Sequence, residues 1–190
     1  MKNIIVRGIL AGIFIGIGCL AYLSIGGIIG AILFAFGLTS VVLTQSKLFT
    51  GMAGFWKSYK DILILIPVIL LNFIGCFIVG MCVDGVDASQ IVNARLTTSL
   101  SHIFIYSIGT GIIMSTAVKY AKELNNFIPL LLGVPLFILC GMPHCIADIC
   151  YYSIEGWKIS YVLPWLTSII GNFIGCNYIK LLNYKTILTL

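Results

Sequence analysis

Histidine, threonine, lysine and aspartate stand inside two short polar interruptions of an otherwise apolar chain. The first interruption is Thr44-Gln45-Ser46-Lys47-Leu48-Phe49-Thr50-Gly51, and the second is Gly141-Met142-Pro143-His144-Cys145-Ile146-Ala147-Asp148. An imidazole held at membrane depth can exchange or share a proton, and an ionisable residue there points to function. Its structural alternative is a neutral ring bonded to a helix carbonyl. The Thr50 hydroxyl offers a hydrogen bond to a passing solute, or else bonds back to a carbonyl of its own helix. Lys47 and Asp148 are charges at similar depth in opposite halves of the chain. A lone charge in hydrocarbon costs at least about 2.5–3.5 kcal/mol on insertion scales, so the two are expected to pair across the interruptions.

Such interruptions need a particular setting. Backbone that leaves the helix within a bilayer survives only where protein buries it or where it lines a cavity. The chain has 190 residues, of which 60% are apolar and 9% charged, with a mean hydropathy of +1.12. A soluble domain carries about 25% charged residues, so this is an integral membrane protein. Apolar segments run over approximately 8–29, 31–55, 62–82, 101–121, 127–151 and 160–180. The first is too long for the apolar core of a secretory signal and is read as a retained helix. The expected fold is therefore all-α, with six transmembrane helices in a single domain spanning 1–190.

Orientation follows from the basic residues. With the N-terminus inside, Lys2, Arg7, Lys57, Lys60, Lys119, Lys122, Lys180 and Lys185 face the cytoplasm, Arg95 and Lys158 face out, and Lys47 lies within a span. Both termini are expected in the cytoplasm. This topology accounts for most of the net charge of +5. No basic run or basic-aromatic patch of the nucleic-acid kind is present. The polar stretch Val83 to Ser101 divides the chain into halves of about 1–85 and 95–190. Each half holds three spans with a broken middle one, the pattern of an inverted repeat. In that arrangement the second and fifth helices are the broken ones, and the two breaks meet. Gly51 and Gly141 border the breaks, where a permissive backbone is useful.

The seven cysteines fall in or near apolar segments, and an odd count without an extracellular framework argues against a disulfide scaffold. Cys140, His144, Cys145 and Cys150 match no common zinc spacing. A Cys-His nucleophile would need an oxyanion element that the surrounding sequence does not offer. No metal, cofactor or enzymatic activity is expected. A membrane-embedded Cys/His redox or metal protein is the reading from another functional class. A water or glycerol channel is disfavoured, because paired Asn-Pro-Ala repeats are missing.

Five motifs resemble the formate/nitrite transporter family in order and spacing. They are Ile9-Leu10-Ala11-Gly12-Ile13-Phe14-Ile15, Leu48-Phe49-Thr50-Gly51, Asn72-Phe73-Ile74-Gly75, the Gly141–Asp148 segment and Gly171-Asn172-Phe173-Ile174-Gly175. The resemblance implies an aquaporin-like fold assembled as a homopentamer in the cell membrane, with one pore per protomer. It implies passage of small monovalent anions such as formate, nitrite or hydrosulfide, often with a proton. By position, Thr50 and His144 would be the central polar pair. Leu38, Leu48 and Phe49 would form the cytoplasmic-side constriction, and Phe34, Met114 and Phe137 the periplasmic one. Arg95 falls where the family has a vestibule lysine. The chain departs from the family pattern at Lys47 and Pro143, where acidic residues are common, and at Asp148, where asparagine is common. It begins only a few residues before the first span, so the N-terminal gating helix of some relatives is expected to be absent.

Overall fold

The computed structural model describes residues 2–181, and Lys185 and the two chain ends lie outside the described residues. Every regular element among them is a helix. Helix α1 (Lys2–Ile25) turns sharply into α2 (Gly27–Leu43). The turn needs left-handed backbone at Gly26 (φ 71°) and Gly27 (φ 56°), which glycine adopts without steric cost. Helix α2 stops well short of the expected end of its apolar segment. Gln45 turns left-handed (φ 54°), and the Thr44 hydroxyl donates to Ser40 O at 2.7 Å. The chain then runs without regular helix to Ser58. A capping box of Ser58 and Asp61 starts α3 (Tyr59–Met81), satisfying N–H groups that have no partner within the helix.

The polar stretch after α3 holds a short helix, α4 (Ser89–Thr97), that the residue pattern alone does not announce. Asp87 Oδ1 accepts from Ser89 N–H at 2.8 Å at its start. That bond holds the Asp87 carboxyl below its ordinary range. Ala88 N–H donates to Glu155 Oε1 at 3.0 Å and ties α4 to a later helix. Next come α5 (Leu100–Glu123) and α6 (Ile128–Leu139). Helix α6 ends at Gly141, whose φ of 64° stops the helix as a left-handed residue does. Helix resumes as α7 (Ala147–Ile154), and α8 (Val162–Cys176) and the short α9 (Tyr178–Leu181) complete the described chain.

Helices α1, α3, α5 and the segment Ile159–Cys176 are long and apolar enough to cross a membrane, while α2 and α6 are shorter apolar helices. Large apolar side chains such as Ile28, Ile29, Phe36, Leu132 and Leu163 point outward. Thr50, Asn72, Ser107, Thr110 and Asn172 are fully buried. Polar inside and apolar outside suits a chain surrounded by lipid or by other copies.

Helix α1 packs on α3 and α2, α5 packs on α8 and α6, and α2–α6 and α3–α7 contacts join the halves. The tight crossings repeat. A Cβ added at Gly12 would strike Asn72 O and Cys76 N, and one added at Gly111 would strike Asn172 O and Cys176 N. Two backbones approach this closely only where a side chain is missing. The α5–α8 crossing thus repeats the close backbone approach of the α1–α3 crossing.

Candidate functional site

Two buried asparagines hold the two non-helical segments against the helices. In the first half, Phe49 N–H donates to Asn72 Oδ1 at 2.9 Å. The Asn72 amide donates to Gly8 O at 2.8 Å and Lys47 O at 2.7 Å. In the second half, Cys145 N–H donates to Asn172 Oδ1 at 2.9 Å. The Asn172 amide donates to Ser107 O at 2.8 Å and Pro143 O at 3.1 Å. In each half one side chain bonds two backbone groups of the non-helical segment, which lack helix partners, and ties them to a carbonyl of a neighbouring helix, as buried backbone requires. Trp165 Nε1–H also donates to Cys145 O at 2.8 Å. Leu48 and His144 occupy matching places, each flanked on both sides by groups bound to the asparagine.

The breaks meet at Thr50 and His144, where Oγ1 and Nε2 lie 3.0 Å apart and both residues are buried. Ala147 N–H donates to His144 Nδ1 at 3.1 Å. A backbone N–H can only donate, so Nδ1 accepts and the hydrogen of the neutral ring sits on Nε2. Nε2–H then donates to Thr50 Oγ1, and the hydroxyl hydrogen of Thr50 has no acceptor among the described residues. The His144 ring stacks on Phe137 with centroids 5.5 Å apart, and Phe137 meets Phe34 edge-on at 6.1 Å. Phe34, Leu38, Leu48, Phe49, Met114 and Phe137 are all buried in the core.

A cavity of about 220 Å³ reaches His144, and Phe137, Arg95 and Asp148 also line it. A separate cavity of about 480 Å³ is lined by Lys47, Lys122, Ser46 and Gly51. Its neighbour, of about 320 Å³, shares Lys47, Gly51, Met52 and Lys122. Leu38, Leu48, Phe49 and Thr50 line none of these three cavities.

The expected Lys47–Asp148 pair does not form. Arg95 takes that place: its Nε lies 3.3 Å from Asp148 Oδ1, and Nη1–H donates to Gly141 O at 2.8 Å. The physical reason is position relative to the meeting point. Lys47 precedes Thr50 and opens to one set of cavities, whereas Asp148 follows His144 on α7 and opens to the other. Asp148 Oδ2 is buried without a hydrogen-bond partner. Thr50 uses its hydroxyl across the junction rather than on its own helix. Of the two glycines flanking the breaks, only Gly141 needs positive φ; at the first break Gln45 supplies it. Among the described residues no three His, Cys, Asp or Glu side chains converge as a metal site requires.

Residue-by-residue reading did not single out Asn72, Asn172 or Lys122. The asparagines had a signal in the repeated Asn-Phe-Ile-Gly of 72–75 and 172–175. Lys122 sits on the last turn of α5, where nothing in the sequence separates it from an ordinary flanking lysine.

A helical chain with four membrane-length apolar helices and a polar interior is a multi-pass membrane protein. The sequence profile described as Formate/nitrite transporter matches residues 1–184, and the chain belongs to that family. A solved chain described as an FNT family ion channel superposes with a TM-score of 0.80 at 18% identity, over 96% of this chain and 89% of its own length. Another, a pentameric formate channel with formate bound, gives 0.81 at 18% identity over 96% and 95%. At these identities the likeness establishes the fold. No curated protein matches the chain in sequence.

Proposed function

We propose that the chain is a channel for the small monovalent anions of weak acids, formate or nitrite, moving together with a proton. In this reading it crosses the cell membrane six times, with the second and fifth helices broken, the halves inverted and both termini in the cytoplasm. It forms one domain and assembles as a homopentamer. The pentameric formate channel of the same fold supports both the assembly and the substrate class.

The observation that carries the reading is the Thr50–His144 hydrogen bond at the junction of the two breaks. It is a polar pair among the buried apolar side chains Phe34, Leu38, Leu48, Phe49, Met114 and Phe137, and cavities lie on the His144 side and on the Lys47 side. Leu38, Leu48 and Phe49 form the constriction on the Lys47 side, and Phe34, Met114 and Phe137 the one on the His144 side. A bare carboxylate crossing such rings loses hydration worth several kcal/mol even after relaxation, on the order of the penalty for burying an ion. Low dielectric raises the affinity of a weak acid for its proton, so the species between the rings is neutral. The free Thr50 hydroxyl hydrogen supplies a donor there, and the Nε2–H of His144, which donates to Thr50 Oγ1, is shared with the solute when it arrives. A doubly protonated ring would set Nδ1–H against Ala147 N–H. His144 therefore serves as a neutral donor through Nε2, and the solute brings its proton from water.

The test is uptake of labelled formate into proteoliposomes across an inward proton gradient, for the wild type and for His144→Ala. Gradient-driven uptake that collapses in the variant supports the proposal. Uptake indifferent to outside pH refutes proton coupling, and preference for hydrosulfide in a competition panel replaces the substrate while keeping the path.

A further inference from the structure

Charge is distributed unevenly between the cavities on the two sides of the Thr50–His144 junction. On the His144 side the cation is Arg95, and its guanidinium is committed to Asp148 Oδ1 and Gly141 O. That pair sums to zero. On the other side Lys47 and Lys122 line both the cavity of about 480 Å³ and its neighbour of about 320 Å³. Neither lysine forms an ion pair among the described residues. Asp61 lines the smaller cavity, where the cation Lys57 stands against it, so Lys47 and Lys122 leave the lining net positive. Glu123 is engaged with Lys119 at 3.9 Å.

Lys122 is also aimed. One of its N–H groups donates to Gly51 O at 3.1 Å, and its Nζ lies 5.0 Å from the centroid of Phe55. An ammonium has three donors, so two remain for a ligand. The Lys47 ammonium has no hydrogen-bond acceptor among the described residues, and its neighbours Leu48, Phe49 and Thr50 lead directly to the junction. Two unpaired cations facing confined space with apolar walls raise the local concentration of anions.

We propose that Lys47 and Lys122 together form an anion-binding site, for small monovalent anions, in the mouth on the Lys47 side. The inference deepens the channel reading and rests on it for its consequence. Under the orientation given above this mouth is cytoplasmic, so the anion concentration is raised at the inner entrance, while the direction of net flow follows the gradient. The site itself has a test that does not require transport.

Trp56 lines the smaller cavity with both lysines, and its fluorescence reports what reaches them. Iodide is an anionic quencher and acrylamide a neutral one of similar reach. The Trp56 contribution is the difference between otherwise identical purified proteins with and without Trp56→Phe. A local potential worth about one kT concentrates a monovalent anion about threefold. The expected result is a two- to threefold fall in the iodide-to-acrylamide quenching ratio in Lys47→Gln/Lys122→Gln. Lys47→Arg/Lys122→Arg keeps the wild-type ratio. Lys180 also lies over Trp56, 3.6 Å from the ring centroid, but its charge is the same in every variant and cancels. Formate added at constant ionic strength should reduce iodide quenching in the wild type and in Lys47→Arg/Lys122→Arg, and not in Lys47→Gln/Lys122→Gln. An unchanged ratio in the double glutamine variant overturns the proposal. If acrylamide quenching shifts, revealing altered folding, Lys47→Gln alone is read instead, because its side chain makes no hydrogen bond. A normal quenching pattern in a protein that moves no formate, nitrite or hydrosulfide would retain the site and refute the channel reading.

Discussion

Asn172→Ala should destabilise the second half of the chain and misplace His144 in the same stroke. The substitution strips the partner from Cys145 N–H, Ser107 O and Pro143 O, all at a side chain with no solvent exposure. Hydrogen bonds between membrane helices average about 0.6 kcal/mol and reach about 1.7 kcal/mol in the folded-versus-unfolded comparison within a membrane. Three of them give a loss of about 2–5 kcal/mol. The assay is equilibrium unfolding in mixed micelles titrated with a denaturing detergent. The internal repeat supplies the control: Asn72→Ala also removes three bonds, to Phe49 N–H, Gly8 O and Lys47 O, and should cost about as much. Asn172→Asp keeps the acceptor for Cys145 N–H but turns a carboxylate toward two carbonyls, so it should be no milder than alanine. The maximal formate uptake rate of Asn172→Ala should fall even where the protein still folds, because both neighbours of His144 lose their anchor. A stability loss below about 0.5 kcal/mol, the scale of an ordinary surface change, would refute the claim that this side chain holds the break in place.

Three further outcomes follow from single contacts. Thr50→Val removes the hydroxyl at nearly constant shape and should slow formate uptake about tenfold, a hydrogen bond's worth of about 1.4 kcal/mol, with stability measured in the same micelles changing by less than in Asn172→Ala. Gly141→Ala forces a Cβ into left-handed backbone and should cost about 1–2 kcal/mol, whereas Gly51→Ala, with its nearest neighbour at 3.5 Å and no positive φ, should stay within about 0.5 kcal/mol. Arg95→Gln leaves Asp148 buried without its cation and should cost about 3–5 kcal/mol; the double change Arg95→Gln/Asp148→Asn should recover most of that, while Lys47→Gln alone should leave unfolding unaltered.

The breaks were legible because their residues are wrong for a membrane helix. Thr44, Ser46 and Lys47 in one segment, and Gly141 with Pro143 in the other, interrupt apolar runs that otherwise continue. The pairing of Thr50 with His144 followed from the family resemblance and needed no distance. The asparagine anchors were half legible: the repeated Asn-Phe-Ile-Gly was visible, but not that its amide serves the break rather than the helix crossing. Helix α4 was hidden by its composition, since Asp87, Gln90, Asn93 and Arg95 read as a polar connection with no apolar period. The Arg95–Asp148 pair was hidden for a different reason. Depth along the membrane normal can be guessed from position within an apolar run, and it made Lys47 and Asp148 look like partners. Which side of the junction a charge opens onto depends on how the breaks enter the bundle, and only coordinates carry that.

The departures from the family pattern make physical sense once sides are assigned. An acid before Leu48-Phe49-Thr50 would stand in the mouth that Lys122 lines and cancel it; Lys47 instead doubles the positive charge there. Asparagine at 148 would leave the vestibule cation free to draw anions; Asp148 neutralises Arg95 and fastens α4 over the cavity that reaches His144. Pro143 carries no charge and presents its carbonyl to Asn172. Lys47 makes its own side more positive, while on the His144 side the carboxylate lost at 143 and the one gained at 148 offset each other in charge, the gained one standing against Arg95. None of them replaces Thr50, His144 or the apolar residues around them. On the channel reading, the positive charge free to draw an anion then stands on the Lys47 side, and the half-saturation concentration measured from each face of an oriented membrane is the quantity that this distribution controls.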